Sequence, residues 1–268
     1  MAASMDSGTI DRAAEWLAAA RLDGRSVAEL PAALRPKTAA EGYDVQQRAA
    51  EILVARGLGP VIGWKVGATT AAMQKLLNLT EPAAGTIHAR REFPAPARLR
   101  HSDFRKPGIE CEVCVRLKSP LPGGPGKVDR AAVAAAVGSL RPAIEVVDNR
   151  YGDFVATGTP TIIADAVFHA AIVLGAEVAD WQRLDLAACK GTATVNGQVK
   201  LSGTGAEVLG HPFESVAWLA NLLAGRGQRL EAGQYVMTGS ITLPYWANPG
   251  ETVTIAIEGL GSVTATLA

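Results

Sequence analysis

Glu110 and Glu112 stand two apart in the run Ile109-Glu110-Cys111-Glu112-Val113-Cys114-Val115, and a third glutamate lies in Ala143-Ile144-Glu145-Val146-Val147-Asp148. Both runs are rich in β-branched residues and read as strands, on which side chains two apart share a face. Two carboxylates side by side repel each other, and burying them together is costly unless a cation or a shared proton compensates. A divalent metal held by Glu110, Glu112 and Glu145 is therefore the leading expectation. The bland alternative is the solvated face of an edge strand.

Other side chains could join such a centre. Val61-Ile62-Gly63-Trp64-Lys65-Val66-Gly67 is expected as a strand that carries a single lysine. Glycine in a strand often marks a close approach of backbone to a ligand or another chain, whereas a lysine there can simply be a snorkelling surface residue. Asp165 and His169 are four apart in the mostly apolar stretch of residues 161–175. They would stack on a helix and share a face on extended chain, so their proximity is expected under either assignment. His169 is a candidate for proton transfer near neutral pH, with a hydrogen-bonded core histidine as the alternative. Cys111 and Cys114 have the C-x-x-C spacing of zinc and redox sites. On a strand their odd separation sends the sulfurs to opposite faces, and no second pair follows, so neither use is expected.

These residues need a scaffold, and 268 residues with 48% hydrophobic content can bury a sizeable core. Lysine plus arginine and aspartate plus glutamate each total 26. The zero net charge offers no electrostatic footprint for nucleic acid or an anionic membrane, which makes a small molecule the expected partner. Three cysteines do not make a disulfide framework and suit a reducing compartment. With no signal-peptide pattern at the N-terminus and no long apolar run, the cytoplasm is the expected location.

Residues 1–60 are alanine-rich and helical in pattern. Asp11 is expected to cap a helix ending near Gly24, and a second helix is expected from Glu41 to Arg56, with Tyr43, Ala50, Leu53 and Val54 on one face. Thr69 or Thr70 should cap a short helix after the lysine strand. A proline and glycine loop is expected over residues 119–126. Asp129 should open a helix to about Val137, with Pro142 delivering the chain to the Glu145 strand through a crossover. Residues 151–160 read as a loop. The remainder is mainly β: Asn196-Gly197 marks a hairpin, Pro212 opens a helix ending at Gly225, and two strands close around Gly259 and Gly261.

Five stretches read together: Gly63-Trp64-Lys65-Val66-Gly67; Ile109-Glu110-Cys111-Glu112; residues 143–150, ending Asp148-Asn149-Arg150; Gly210-His211-Pro212 with Ala217-Trp218-Leu219-Ala220; and Gly239-Ser240. The set resembles the 2-keto-4-pentenoate hydratase group of the fumarylacetoacetate hydrolase superfamily over nearly the whole chain. The resemblance implies an α+β fold, a mixed β-roll catalytic domain over residues 61–268 behind a helical segment over residues 1–60. It also implies Mg²⁺ or Mn²⁺ on Glu110, Glu112 and Glu145, a homo-oligomer, and a 2-oxo- or 2-hydroxy-dienoic acid chelated through its carboxylate and C2 oxygen. The metal would stabilise charge on that oxygen, and water would then add to the conjugated alkene. Lys65 matches a lysine near the ligand, Gly67 would let the substrate approach, and Ser240 would line its carboxylate end.

Two departures stand out. Ala83 occupies the acidic position of a Pro-Asp-aromatic-Gly motif, in Glu81-Pro82-Ala83-Ala84-Gly85. Ala164-Asp165-Ala166-Val167-Phe168-His169 replaces Ala-Asp-Asn-Ala-Ser-Ser, keeping Asp165 as a candidate substrate-binding residue and placing His169 where it could take over proton transfer. The resemblance therefore implies a hydratase with an altered substrate. Decarboxylation of a 2-oxo-enoic diacid, cleavage of an acylpyruvate, and a non-catalytic relative are the alternatives.

Overall fold

The computed structural model describes residues 4–122 and 127–268. The first three residues and the latter half of the loop expected over residues 119–126 lie outside the described residues. The chain opens with α1 (Ser7–Leu22), whose cap is Asp6 rather than Asp11: its carboxylate accepts the Thr9 N–H at 2.8 Å. Asp11 instead lies within the helix and pairs with Arg48 at 2.7 Å. Helix α2 (Ala39–Leu53) begins at a capping box in which Thr38 accepts from the Glu41 N–H and Glu41 accepts from the Thr38 N–H. It then widens into a π-type turn, Val54–Leu58, that closes on Gly57 at φ +86°. Val54 is exposed there rather than on the buried face.

Strand β1 (Val61–Gly67) falls where expected, and α3 (Ala71–Leu76) is capped by Thr70. Next come β2 (Ala83–His88), β3 (Glu92–Pro94), β4 (Ala97–Leu99) and the long β5 (Pro107–Leu117). Helix α4 (Arg130–Ala136), capped by Asp129, leads into β6 (Val137–Asp148). The stretch expected as a loop holds α5 (Phe154–Thr157) and the start of α6 (Thr159–Ala164), followed by β7 (His169–Leu174). The remaining elements are β8 (Lys190–Val195), β9 (Gln198–Thr204), α7 (Pro212–Gly225), β10 (Tyr235–Ser240), β11 (Tyr245–Trp246), β12 (Thr252–Ile257) and β13 (Gly261–Leu267). Asn196 and Gly197 take φ +48° and +83°, as a type I′ hairpin turn requires.

Two curled mixed sheets result, ordered β2-β1-β10-β5-β6-β7-β3, with β11 added on β5, and β4-β13-β12-β8-β9. Two expectations are corrected here. β5 is not an edge strand, because β10 and β6 flank it on both sides. Nor is the link from β5 to β6 a crossover between parallel strands. The two run antiparallel, and Pro142 sits inside β6, opposite Val113, rather than ahead of it. The Pro142 carbonyl still serves as an acceptor, taking the Gly175 N–H at 2.9 Å.

One apolar core joins the layers. Ala14 and Leu17 of α1 and Ile52 of α2 belong to the same buried cluster as Val113, Ile144 and Ile255. Each leucine, valine or isoleucine among them contributes about 2 kcal/mol by leaving water. Cys111 belongs to this cluster and Cys114 to a smaller one around Ile87 and Met237, so their sulfurs do lie on opposite faces of the sheet. Among the described residues, no helix is long and apolar enough to cross a membrane.

Candidate metal centre

Antiparallel pairing sets Glu110 directly opposite Glu145, with Glu112 two residues along on the same face of β5. One carboxylate oxygen from each of the three lies within 4.8 Å of the others. Glu112 and Glu145 are fully buried. Burial and the charge of Glu145 push the Glu110 carboxyl up to about 7. Glu112 is raised well above the usual carboxylate range by burial and by both neighbouring glutamates. Burial also acts on Glu145, but the Lys65 ammonium and the hydrogen bond from His169 outweigh it and hold that carboxyl low.

Lys65 is buried in β1 at 2% exposure, which rules out the snorkelling reading, and its Nζ lies 3.4 Å from Glu145 Oε1. Burial pulls its pKa down, yet the attraction of Glu145, Glu110 and Glu112 prevails and keeps it an ammonium. Gly67 makes room for it. A Cβ at that position would stand 3.0 Å from both Lys65 Nζ and Val167 Cγ1.

Oε1 of Glu112 and Oε2 of Glu145 are buried with no donor to satisfy them, while Oε2 of Glu112 accepts the Gly239 N–H at 2.9 Å. Ionised together, the three carboxylates would outnumber the one ammonium by two charges, an excess that a divalent cation would neutralise. The all-oxygen donor set suits a hard ion. The residues present therefore fit a divalent metal.

His169 is brought to this centre, its Nδ1 lying 2.8 Å from Glu145 Oε1. A carboxylate only accepts, so Nδ1 carries the proton and Nε2 is left with its lone pair, buried and without a partner. Burial lowers the pKa of the ring. The ring does not line the cleft described below.

Asp165 is not part of the cluster, and the expected Asp165–His169 pairing does not occur. Helix α6 ends at Ala164, and Ala166, Val167 and Phe168 all take positive φ, from +53° to +65°, so the stretch between the two residues is neither helix nor strand. Their side chains therefore find different partners. Asp165 accepts from Arg21 at 3.1 Å, from Tyr151 Oη at 2.9 Å and from Arg150 Nη2. Arg21 also donates to the carbonyl of His169 at 2.7 Å, clamping both ends of the left-handed turn.

Sequence reasoning missed Arg21 and Tyr151, which carry no local pattern, and used Arg150 only as part of a motif. Gly239 stands in the sequence only as the partner of Ser240 in a motif stretch. In the structure it lies in a bulge at φ +110°, where a Cβ would strike Thr69 at 2.5 Å, and its N–H orients Glu112.

A cleft of about 1020 Å³ opens over the centre. Lys65, Gly67, Glu110 and Ser240 line it near the carboxylates, and Lys106 and Trp246 line it elsewhere. Ser240 Oγ is buried and has no hydrogen-bond partner. Ala83 is buried in β2 opposite Gly67 and offers no acid there.

Residues 78–268 match the family model of the fumarylacetoacetate (FAA) hydrolase C-terminal region. The chain is 35% identical to a 4-oxalocrotonate decarboxylase from Pseudomonas sp. (strain CF600) over 252 residues, 94% of each chain. It is 36% identical to a 2-hydroxyhexa-2,4-dienoate hydratase from Comamonas testosteroni over 204 residues, 75% of this chain and 76% of the relative. The structure of 4-oxalocrotonate decarboxylase from Pseudomonas putida G7, complexed with magnesium and adipate, matches with a TM-score of 0.92 at 32% identity, covering 99% of each chain.

Proposed function

From the premise that this chain belongs to the fumarylacetoacetate hydrolase family, we propose that it is a divalent-metal-dependent lyase acting on a small 2-oxo- or 2-hydroxy-dienoic acid, with hydration as its reaction. The observation that carries this reading is the cluster of three buried carboxylates, two of their oxygens lacking donors, beside a buried ammonium. Mg²⁺ or Mn²⁺ held by Glu110, Glu112 and Glu145 would supply Lewis acidity toward the oxygen atoms of the substrate.

The residues of the chain do the rest. Lys65 keeps a proton on Nζ and sets a fixed positive charge where negative charge develops on the substrate. His169 holds Glu145 in one orientation through Nδ1 and acts as a positioning residue. The Ser240 hydroxyl, still without a partner, is a donor for the substrate carboxylate, and Gly67 leaves the approach open. Residues 61–268 carry the chemistry, and the helical segment of residues 1–60 lends Arg21 to the turn that presents His169. A homo-oligomer and a reducing, cytoplasmic setting accord with the family resemblance and with three free cysteines.

Loss of carbon dioxide from a 2-oxo-enoic diacid is the second reading, favoured by Ala83. Without an acid at that position, water activation is weakened, while decarboxylation needs an electron sink more than an activated water. The test follows the ultraviolet absorbance of 2-hydroxy-dienoic acids and 2-oxo-enoic diacids with purified protein and Mg²⁺ or Mn²⁺, with products identified by mass. Gain of one water establishes the hydratase and loss of carbon dioxide the decarboxylase. No turnover across the panel, with metal demonstrably bound, would refute both.

A further inference from the structure

We propose that Thr69 is a positioning residue of the carboxylate centre: its side chain fills the space left by the absent Cβ of Gly239, and so holds a bulge in β10 that aims Ser240 and one backbone N–H at Glu112. The inference rests on the metal reading above for what Glu112 does once it is held.

Strand β10 carries one residue more than its partner. Met237 stands opposite Cys114 and Ser240 opposite Glu112, three steps along β10 against two along β5. Side chains alternate along a strand, so the extra residue changes which of them faces the centre. In an unbroken ladder Gly239 would stand opposite Glu112, and Ser240 would turn to the other face. With the bulge Ser240 takes that place, and the Gly239 N–H donates to Glu112 Oε2 at 2.9 Å. Glu112 Oε1 is then the oxygen left without a donor. One distortion of the backbone thus supplies both a hydroxyl in the cleft and the orientation of a metal ligand.

Such a bulge must be held. Gly239 sits at φ +110°, where a side chain is strained, and glycine loses more conformational freedom on ordering than any other residue. Two hydrogen bonds flank it, from Thr238 Oγ1 to the Val113 carbonyl at 2.9 Å and from the Ile241 N–H to the Cys111 carbonyl at 2.8 Å. Thr69 is the third restraint. It is buried, and its Cγ2 and Oγ1 lie 2.5 and 2.7 Å from the point that a Cβ on Gly239 would occupy.

The backbone on either side fixes Thr69 in turn. β1 runs parallel to β10 with Lys65 opposite Met237, so the chain leaving Gly67 passes beside the bulge. Ala68 then takes φ +56°, unusual for a residue with a Cβ, and its carbonyl accepts from Gln74 Nε2 at 3.0 Å. Thr70 caps α3 by accepting the Met73 N–H at 3.2 Å. The strained turn at Ala68 is accounted for by the contact it delivers. A single segment therefore carries the buried ammonium of Lys65 and the brace behind Glu112.

The test uses the full-length protein. Thr69→Ala removes both branches of the side chain, and Thr69→Val keeps them. Calorimetric titration with Mn²⁺ should give a Kd about tenfold higher in T69A, in the range for groups that orient metal ligands, and T69V should recover most of the loss. Exchange of the Gly239 amide hydrogen, followed by NMR on the metal-free protein, should quicken in T69A and slow again in T69V. That measurement needs no cation, so it separates this claim from the metal reading. If the parent binds no Mn²⁺ but exchange still depends on Thr69, the metal reading fails and the hold on the bulge stands. Faster exchange with an unaltered Kd would show that Glu112 is oriented without Thr69 and refute the positioning role. A lowered melting temperature in T69A, with Kd and exchange both unchanged, would make Thr69 an ordinary packing residue and overturn the proposal.

Discussion

Glu110 and Glu145 occupy directly opposite positions on antiparallel strands, so backbone hydrogen bonding forces two carboxyl groups together and makes ionising both costly. Removing one carboxyl should relieve that cost while taking away a ligand. For Glu110→Ala we expect loss of divalent cation binding in a titration, with the melting temperature of the metal-free protein at or above that of the parent. Retained stoichiometry of one cation per chain would sink the assignment of the site.

His169 touches Glu145 but not the cleft. His169→Ala should therefore lower kcat by about tenfold, within the range typical of groups that orient metal ligands, with a smaller loss of cation affinity. Measuring turnover and cation Kd on the same preparation separates the two effects. An unchanged rate would make His169 an ordinary core residue.

Asp165 neutralises Arg150 and Arg21 inside the protein. Deleting the carboxylate leaves two guanidinium groups buried without their counter-charge, a loss of roughly 3–5 kcal/mol. Urea unfolding of Asp165→Ala should show it as an earlier midpoint with an unchanged slope. Parental stability combined with a raised KM would instead place Asp165 against the substrate.

His88 supplies the pH dependence. It is buried at 2% exposure, its Nδ1 lies 3.2 Å from the Gly59 carbonyl, and burial pushes its pKa down from 6.5 to about 4. Between those values the unfolded chain binds a proton that the folded chain refuses. Stability therefore falls as pH drops from about 6.5 to about 4, by on the order of 3 kcal/mol for this group, and levels off below. Denaturation curves across that window should flatten in His88→Gln. An identical slope in the variant would assign the acid sensitivity to other groups.

Much of this centre was legible in the sequence because strand periodicity is local. The spacing of Glu110 and Glu112 fixed their common face, and the β-branched run around Glu145 marked its strand. The partner of that strand was harder to read, since nothing in the residues between Leu117 and Val137 distinguishes an antiparallel return from a parallel crossover. The turn at Ala166, Val167 and Phe168 was opaque for a different reason. Alanine, and still more valine and phenylalanine, rarely adopt positive φ on local preference alone, and here Arg21 holds the carbonyls at both ends of that turn. Ala83 stands in the sequence as a small residue where the resemblance implies an acid, but only the fold shows it buried beside Gly67.

The contact from Arg21 to the carbonyls of Asp165 and His169 joins residues 144 and 148 positions apart in the chain. At ribosomal speeds of about 5–20 residues per second, helix α1 emerges roughly 7–30 s before its docking site has been synthesised. Helix α2 can cover part of the apolar face of α1 during that interval, but the Arg21 guanidinium must wait for its carbonyl partners. The turn that presents His169 can be locked only after residue 169 has been made, which sets completion of the carboxylate cluster's surroundings after that of the N-terminal helices.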